Sequence, residues 1–416
     1  MQTCQGPQRR SSQITVQCRC SAACLLGAEV ELVWATDDFT LHGVSYRGFP
    51  IVLDSDMSSV PSANTYLRYH LLQRGRVGSK KSWRVYGQAL YDYFSFLEAQ
   101  GLRWDDPASP EKLTTVAIYR DYCRRTIGLS INTVRQRLYL VCQFYRYALE
   151  QKWINTLPFS TEIVRVKRRS HLLSHLDNSG GEVSSRNVMP KLPKSLPKFL
   201  STGQIRKLLD AASHNTHHKM LIRTGLQTGL RREEIATFPC AYVINPAAVE
   251  PRIRNIRVDL DPSDGRGMLT KGNKPRTIYI SRRFMADLWH YLVHHRGERA
   301  QRTSENFSPL FLNHNGKPFA SDGKAIERIV RDIGIKAHQK AWPHLLRHTY
   351  ATHTLNALQQ SDTTIEPLLF LQRQLGHESL DTTMIYTHLV DEMADAAVLA
   401  YDDEVTEWSR GSGADE

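Results

Sequence analysis

The sequence predicts a mainly α-helical protein with a small antiparallel β-sheet, divided between two domains. Three observations predict it. Apolar residues recur at steps of three and four over residues 62–159 and again over much of 200–356. The period shortens to two over residues 252–281, with a weaker stretch of the same kind at 29–53. A Pro- and Lys-rich run separates the two helical regions. At 416 residues the chain exceeds the size that one core usually serves.

Residues 1–60 form an N-terminal extension. Its start is rich in Gln, Ser and Cys, and Gly43 and Gly48 supply turns for a short hairpin within 29–53. Residues 61–163 read as a small all-helical domain. One helix carries Trp83, Tyr86, Leu90, Phe94 and Leu97, with Ser82 placed as its cap. A second is marked by Val116, Tyr119 and Tyr122. A third carries Val134, Leu138, Val141, Tyr145 and Ala148, introduced by Ser130 and Asn132. The helix starts bear Lys80, Lys81, Arg84, Asn132, Arg135 and Arg137, a pattern suited to a phosphate backbone. A merely solvated basic face is the competing reading. Residues 164–197 read as a basic connector, in which Pro190, Pro193 and Pro197 favour an extended path.

A second fold, 198–400, opens with Ser201 and Thr202 capping a helix of Ile205, Leu208 and Leu209. The segment MLIRTGLQTGLRREEIATF is helical apart from its glycines and sets Arg231 three residues before Glu234. A turn, Lys271-Gly-Asn-Lys274, lies between MLT and RTIYI, which places Lys271 at a hairpin tip. Helices follow over 283–295, 323–336 and 344–356, and residues 401–416 form an acidic tail.

The chain holds 54 Lys and Arg against 42 Asp and Glu, a net charge of +12, which favours a polyanionic partner such as nucleic acid. No run of about 18 apolar residues occurs, so no membrane span is expected. The seven Cys are odd in number and scattered, which argues for a reducing, cytoplasmic setting over a disulfide framework. Cys4, Cys18, Cys20 and Cys24 cluster, but their spacing is irregular and no matching His pair follows, so no metal is expected.

Five segments in order carry the chemistry: TGLRREEI, TKGNKPR, HLLRHTYATH, LGHESLDTT and MIYTH. Any one of them alone is weak; a single His or Arg is more often structural than catalytic. In sequence they resemble the tyrosine recombinase (phage integrase) family over most of residues 62–392. The resemblance implies a helical core-binding domain followed by an α+β catalytic domain. It matches Arg231 to the family's first arginine, Glu234 to its supporting acid, Lys271 to the hairpin lysine, His344 and Arg347 to the HxxR pair, His377 to the second histidine and Tyr386 to the nucleophile.

Elementary chemistry fits those roles. The pentacoordinate transition state of a phosphodiester gathers negative charge, which Arg231 and Arg347 can clamp, at ~3–4 kcal/mol each by analogy with an oxyanion hole. His377 supplies a third donor. Tyr386 needs a base, for which His344 is the candidate, and the leaving 5′-oxygen needs a proton, which Lys271 can deliver. Glu234 holds Arg231 or His344. His348, next to Arg347, is read as pointing to a different helix face in a structural role, and His388 as a cap or packing residue.

The expected activity is site-specific DNA cleavage and rejoining through a 3′-phosphotyrosyl link and a Holliday junction, with no cofactor. The expected partner is double-stranded DNA bearing specific recombination sites, met by a homotetramer with accessory DNA-bending proteins. Lys80, Lys81, Arg84, Asn132, Arg135 and Lys274 are the expected DNA contacts. A type IB topoisomerase-like relaxing activity and a catalytically inactive DNA-binding relative stand as alternatives. Beyond Tyr386, Met393, Ala397 and Leu399 suit either a segment passed to a neighbouring protomer or one packed on its own domain.

Overall fold

A computed structural model describes residues 30–75, 77, 79–107, 112–165, 182–192, 197–360 and 366–387. The early Cys cluster, His388, the segment from Met393 and the acidic tail lie outside these. The chain divides into two units, Met1–Pro193 and Lys194–Glu416. Both are mainly helical with small antiparallel sheets, the predicted class. No helix among the described residues is long and apolar enough to cross a membrane.

The first unit begins with two nested ribbons. Strand β1 (Glu31–Trp34) pairs with β4 (Pro50–Leu53), and β2 (Thr40–Leu41) pairs with β3 (Val44–Ser45) between them. Helix α1 (Pro61–Arg68) starts on a proline, whose missing N–H costs nothing in the first turn. Helix α2 is Lys80–Ala99, α3 is Thr115–Asp121 and α4 is Ile131–Glu150. The Ser130 side chain accepts from the Thr133 amide and so caps α4. Ser82, expected to cap α2, instead lies inside its first turn, because the helix starts three residues earlier than expected, behind Ser79. The core of this unit is aromatic. Tyr66, Tyr93, Phe96, Tyr119, Phe144 and Tyr145 are all buried, and Val30, Phe49 and Val52 bring the ribbon into the same core. Within the stretch read as a connector, β6 (Glu182–Arg186) pairs back on β5 (Thr161–Arg165).

The second unit holds the candidate chemistry. Helix α5 (Thr202–Ala211) opens with a full capping box between Ser201 and Gln204. Helices α6 (Thr216–Thr228) and α7 (Arg232–Thr237) meet at Gly229. Strands β7 (Asn255–Leu260) and β8 (Arg276–Ser281) make the antiparallel sheet, and β7 alternates exposed and buried along its whole length. The sequence had suggested MLT as the strand before the turn. The partner is the earlier NIRVDL segment, because only there does the alternation put Ile256, Val258 and Leu260 into the core. Lys271 therefore sits in a long connection, in a short 3-10 turn (Lys271–Asn273) just ahead of β8. Helices α8 (Arg282–His294), α9 (Arg296–Ala300), α10 (Lys324–Lys336), α11 (Pro343–Gln360), α12 (Pro367–Leu375) and α13 (Leu380–Met384) complete the unit. Helix α11 packs along α6, and α12 on both α11 and β8. That packing brings the ends of α6 and α12 to the start of α11.

Candidate active site

Two glycine turns frame the site. Gly229 ends α6 at φ 65° and its N–H bonds back to Gly225. Gly376 ends α12 at φ 65°; its N–H reaches Arg373 and that of His377 reaches Gln372, a Schellman closure. Neither position has room for a side chain. A Cβ on Gly229 would lie 2.5 Å from the Tyr350 ring, and one on Gly376 would lie 2.6 Å from Arg276 Cδ.

These turns leave helix C-terminal carbonyls pointing inward, and Arg347 takes two of them. Its guanidinium donates to the Gly229 carbonyl at 2.6 Å and to the Leu375 carbonyl at 2.5 Å. Cations suit the negative end of a helix, and here one cation closes two. Arg347 is 1% exposed. Burial, with Arg231 as a second repulsive influence, lowers its pKa to about 9, which leaves it charged at neutral pH.

Arg231 stands at the start of α7. Its backbone N–H donates to Glu234 Oε2 at 2.8 Å, and its guanidinium donates to Glu234 Oε1 at 3.1 Å and to the Gly376 carbonyl at 3.5 Å. Glu234 is in turn held by a residue the sequence reading missed. Arg276, first in β8, grips both carboxylate oxygens at 2.6 and 2.7 Å. Burial works against an ionised Glu234, but the hydrogen bonds and charge of Arg276, then Arg231 and Arg347, hold its carboxyl below the usual range. Glu234 thus holds Arg231 and Arg276. The only cue for Arg276 was its place at the start of the RTIYI strand.

Tyr386 follows α13 with its side chain buried. Burial raises its phenol to about 12, while Arg347 and Arg231 pull the other way. The His377 ring stacks on it at 6.4 Å and 11° between planes, and His377 Nδ1 pairs with Thr383 Oγ1 at 3.0 Å. The expectation for His348 is corrected here. His348 does leave the face of Arg347, but it turns onto the nucleophile: its Nδ1 lies 2.8 Å from the Tyr386 hydroxyl. His344, one turn earlier, packs edge-on against His348 at 4.3 Å. The four-residue spacing of the two histidines was the available signal. Burial first, then neighbouring cations and imidazoles, depresses all three rings: His344 downward, His348 to about 4 and His377 to about 3. Each shift favours the neutral imidazole in the free protein.

Arg231, Glu234, His344, Arg347, His377 and Tyr386 are thus brought together. Lys271 is exposed on its loop. Lys274 pairs with Glu378 at 2.7 Å, both well exposed. In the first unit Lys80, Lys81 and Asn132 are exposed near helix starts. Arg84 is also exposed and lies over the Trp34 ring at 5.5 Å. Arg135 donates to the Pro190 carbonyl at 2.5 Å. Arg137, read from sequence as part of the basic face, is instead half-buried and paired with the buried Asp92 at 2.6 Å. Among the described residues no three His, Cys, Asp or Glu side chains gather into a metal-binding group.

The chain is similar to known proteins. Residues 198–393 match the phage integrase family. The chain is 27% identical over 337 residues to the tyrosine recombinase XerC of Thermodesulfovibrio yellowstonii, spanning 78% of this chain and 90% of the relative. It is 29% identical over 287 residues to the tyrosine recombinase XerA of Pyrococcus furiosus, spanning 65% and 88%. Among solved structures, the Tn1549 transposon integrase in complex with a circular intermediate DNA shares the fold, with a TM-score of 0.52 at 18% identity over 78% of this chain and 94% of that one.

Proposed function

We propose that this chain is a tyrosine recombinase of the phage integrase family, which cleaves and rejoins specific DNA sites with Tyr386 as nucleophile. The observation that carries the assignment of Tyr386 is its surroundings: a buried phenol under the influence of two guanidinium groups and flanked by imidazoles. Arg231 and Arg347 take the non-bridging oxygens of the scissile phosphate, where charge grows in the transition state. His377 adds a donor beside them. Glu234 and Arg276 position Arg231. Lys271, on an exposed loop, reaches the leaving 5′-oxygen once DNA is bound.

Attack by Tyr386 leaves a 3′-phosphotyrosyl bond and a free 5′-hydroxyl. That bond keeps the phosphodiester energy, so a second strand's 5′-hydroxyl can reverse the step without ATP. Two duplexes offer four strands, which calls for four copies of the chain and a Holliday junction between the two rounds of exchange. Accessory DNA-bending proteins, a nucleoid location in the cytoplasm and DNA contacts by Lys80, Lys81, Arg84, Asn132, Arg135 and Lys274 belong to the same reading.

The test begins by selecting bound sequences from randomised duplexes. The selected site is then nicked near the scissile position, so that the cleaved fragment diffuses away and the adduct persists. Wild-type protein should yield a covalent protein–DNA band, and Tyr386→Phe should bind equally and yield none. An adduct in the Phe variant would refute the assignment of the nucleophile. Relaxation of supercoiled plasmid at arbitrary sequences, with no recombinant product from paired sites, would refute site-specific exchange.

A further inference from the structure

We infer that His348 is a further catalytic residue, the group that takes the proton from Tyr386 as the phenol attacks DNA. The inference rests on Tyr386 being the nucleophile. His348 Nδ1, at 2.8 Å, lies within direct hydrogen-bond reach of the Tyr386 hydroxyl oxygen. A general base has to meet that distance before its basicity matters. His344 sits behind it, ring against ring at 4.3 Å, and so fixes the plane of the His348 imidazole without taking the phenol itself.

The surroundings explain why the proton moves only when DNA is present. His348 is flanked by His344, Arg347 and His377, and burial among them keeps the ring neutral, with Nδ1 free to accept. In that state the phenol donates to Nδ1 and the second ring nitrogen carries the proton. An incoming phosphodiester brings negative charge to Arg231 and Arg347. The local field that disfavours an imidazolium is thereby offset.

The step balances. The Tyr386 oxygen bonds to phosphorus while its proton passes to His348 Nδ1, forming an imidazolium. The bond from phosphorus to the 5′-oxygen breaks, and that oxygen receives a proton from Lys271. In rejoining, the incoming 5′-hydroxyl attacks phosphorus, its proton returns to Lys271, and the imidazolium reprotonates the departing phenolate.

The experiment uses the full-length protein and the nicked duplex, and follows single-turnover adduct formation. His348→Ala should slow the adduct by roughly 10²–10⁴-fold, the range for loss of a general base. His348→Gln, which can still accept a hydrogen bond but cannot carry a proton onward, should be similarly slow. Duplex affinity and thermal midpoint should stay near wild type in at least one of the two. The decisive arm replaces Tyr386 with 3,5-difluorotyrosine, whose more acidic phenol needs less help. It should restore at least about tenfold of the rate lost in the His348 variants while changing the wild-type background little. Adduct formation within about threefold of wild type in both His348 variants would overturn the inference alone. So would a defect that the fluorinated phenol leaves unchanged, which marks a packing role. Absence of any adduct with wild-type protein on its selected site would overturn the nucleophile assignment, and this inference with it.

Discussion

Replacing Arg276 with Met is expected to loosen the site from beneath. Glu234 is 1% exposed and Arg276 10%, and two bonds of 2.6 and 2.7 Å join them. Methionine keeps part of the aliphatic stem's packing, so the loss is chiefly electrostatic. The buried carboxylate keeps the Arg231 guanidinium at 3.1 Å and the Arg231 backbone N–H at 2.8 Å. Breaking one side of a buried ion pair costs about 3–5 kcal/mol, and the surviving Arg231 contacts put this case at the lower end, about 3 kcal/mol. At about 1.4 kcal/mol per tenfold, amides that open with this region should exchange roughly 150-fold faster. Hydrogen-exchange mass spectrometry of the intact chain reads this directly in peptides from α7, β7 and β8. The double variant Glu234→Gln/Arg276→Met should recover much of the protection, because no uncompensated charge is left buried. Protection within about threefold of wild type in Arg276→Met, or a double variant less protected than the single one, would refute the reasoning.

Gly376→Ala should cost about 1–2 kcal/mol for a left-handed alanine, before adding the push on Arg276. Thermal unfolding checks that figure, and Gly376→Asn should be milder. Glu234 makes stability depend on pH with a definite sign. Its folded pKa lies below the ordinary 4.5, so its contribution is whole above that value and is lost as the pH falls through the folded pKa. The stability gap between wild type and Glu234→Gln, followed by denaturant titration on acidification, should therefore narrow in that window; a gap unchanged there would contradict the shift. Arg347→Lys keeps the charge but cannot span both helix-end carbonyls. Adduct formation should drop by about 10²–10³-fold, with duplex binding by gel shift changed only a few-fold.

Much of this architecture was legible in the residues because the second unit obeys local rules. Ser201 announces α5, the glycines of MLIRTGLQTGLRREEIATF announce the break between α6 and α7, and the order of short motifs nominated Arg231, Glu234, His344, Arg347, His377 and Tyr386 as one site. The illegible parts are those set by tertiary partners. The strand paired with β8 was chosen by burial of Ile256, Val258 and Leu260, not by closeness to the turn. Arg276 looked like an ordinary polar strand residue, since its partner Glu234 lies far away in sequence. Arg137 had the sequence signature of a surface cation and was claimed by Asp92. His348 was recoverable: the same helical spacing that paired His344 with Arg347 also puts His348 one turn beyond His344.

Because Arg347 already spends two of its donors on Gly229 and Leu375, its direction is decided while the chain folds and before any nucleic acid arrives. The side chain has no swing to give up on meeting a substrate, and only its remaining N–H groups can greet one. Damage to either helix-end turn should therefore surface as mis-aimed chemistry in a protein that still folds and still grips its duplex.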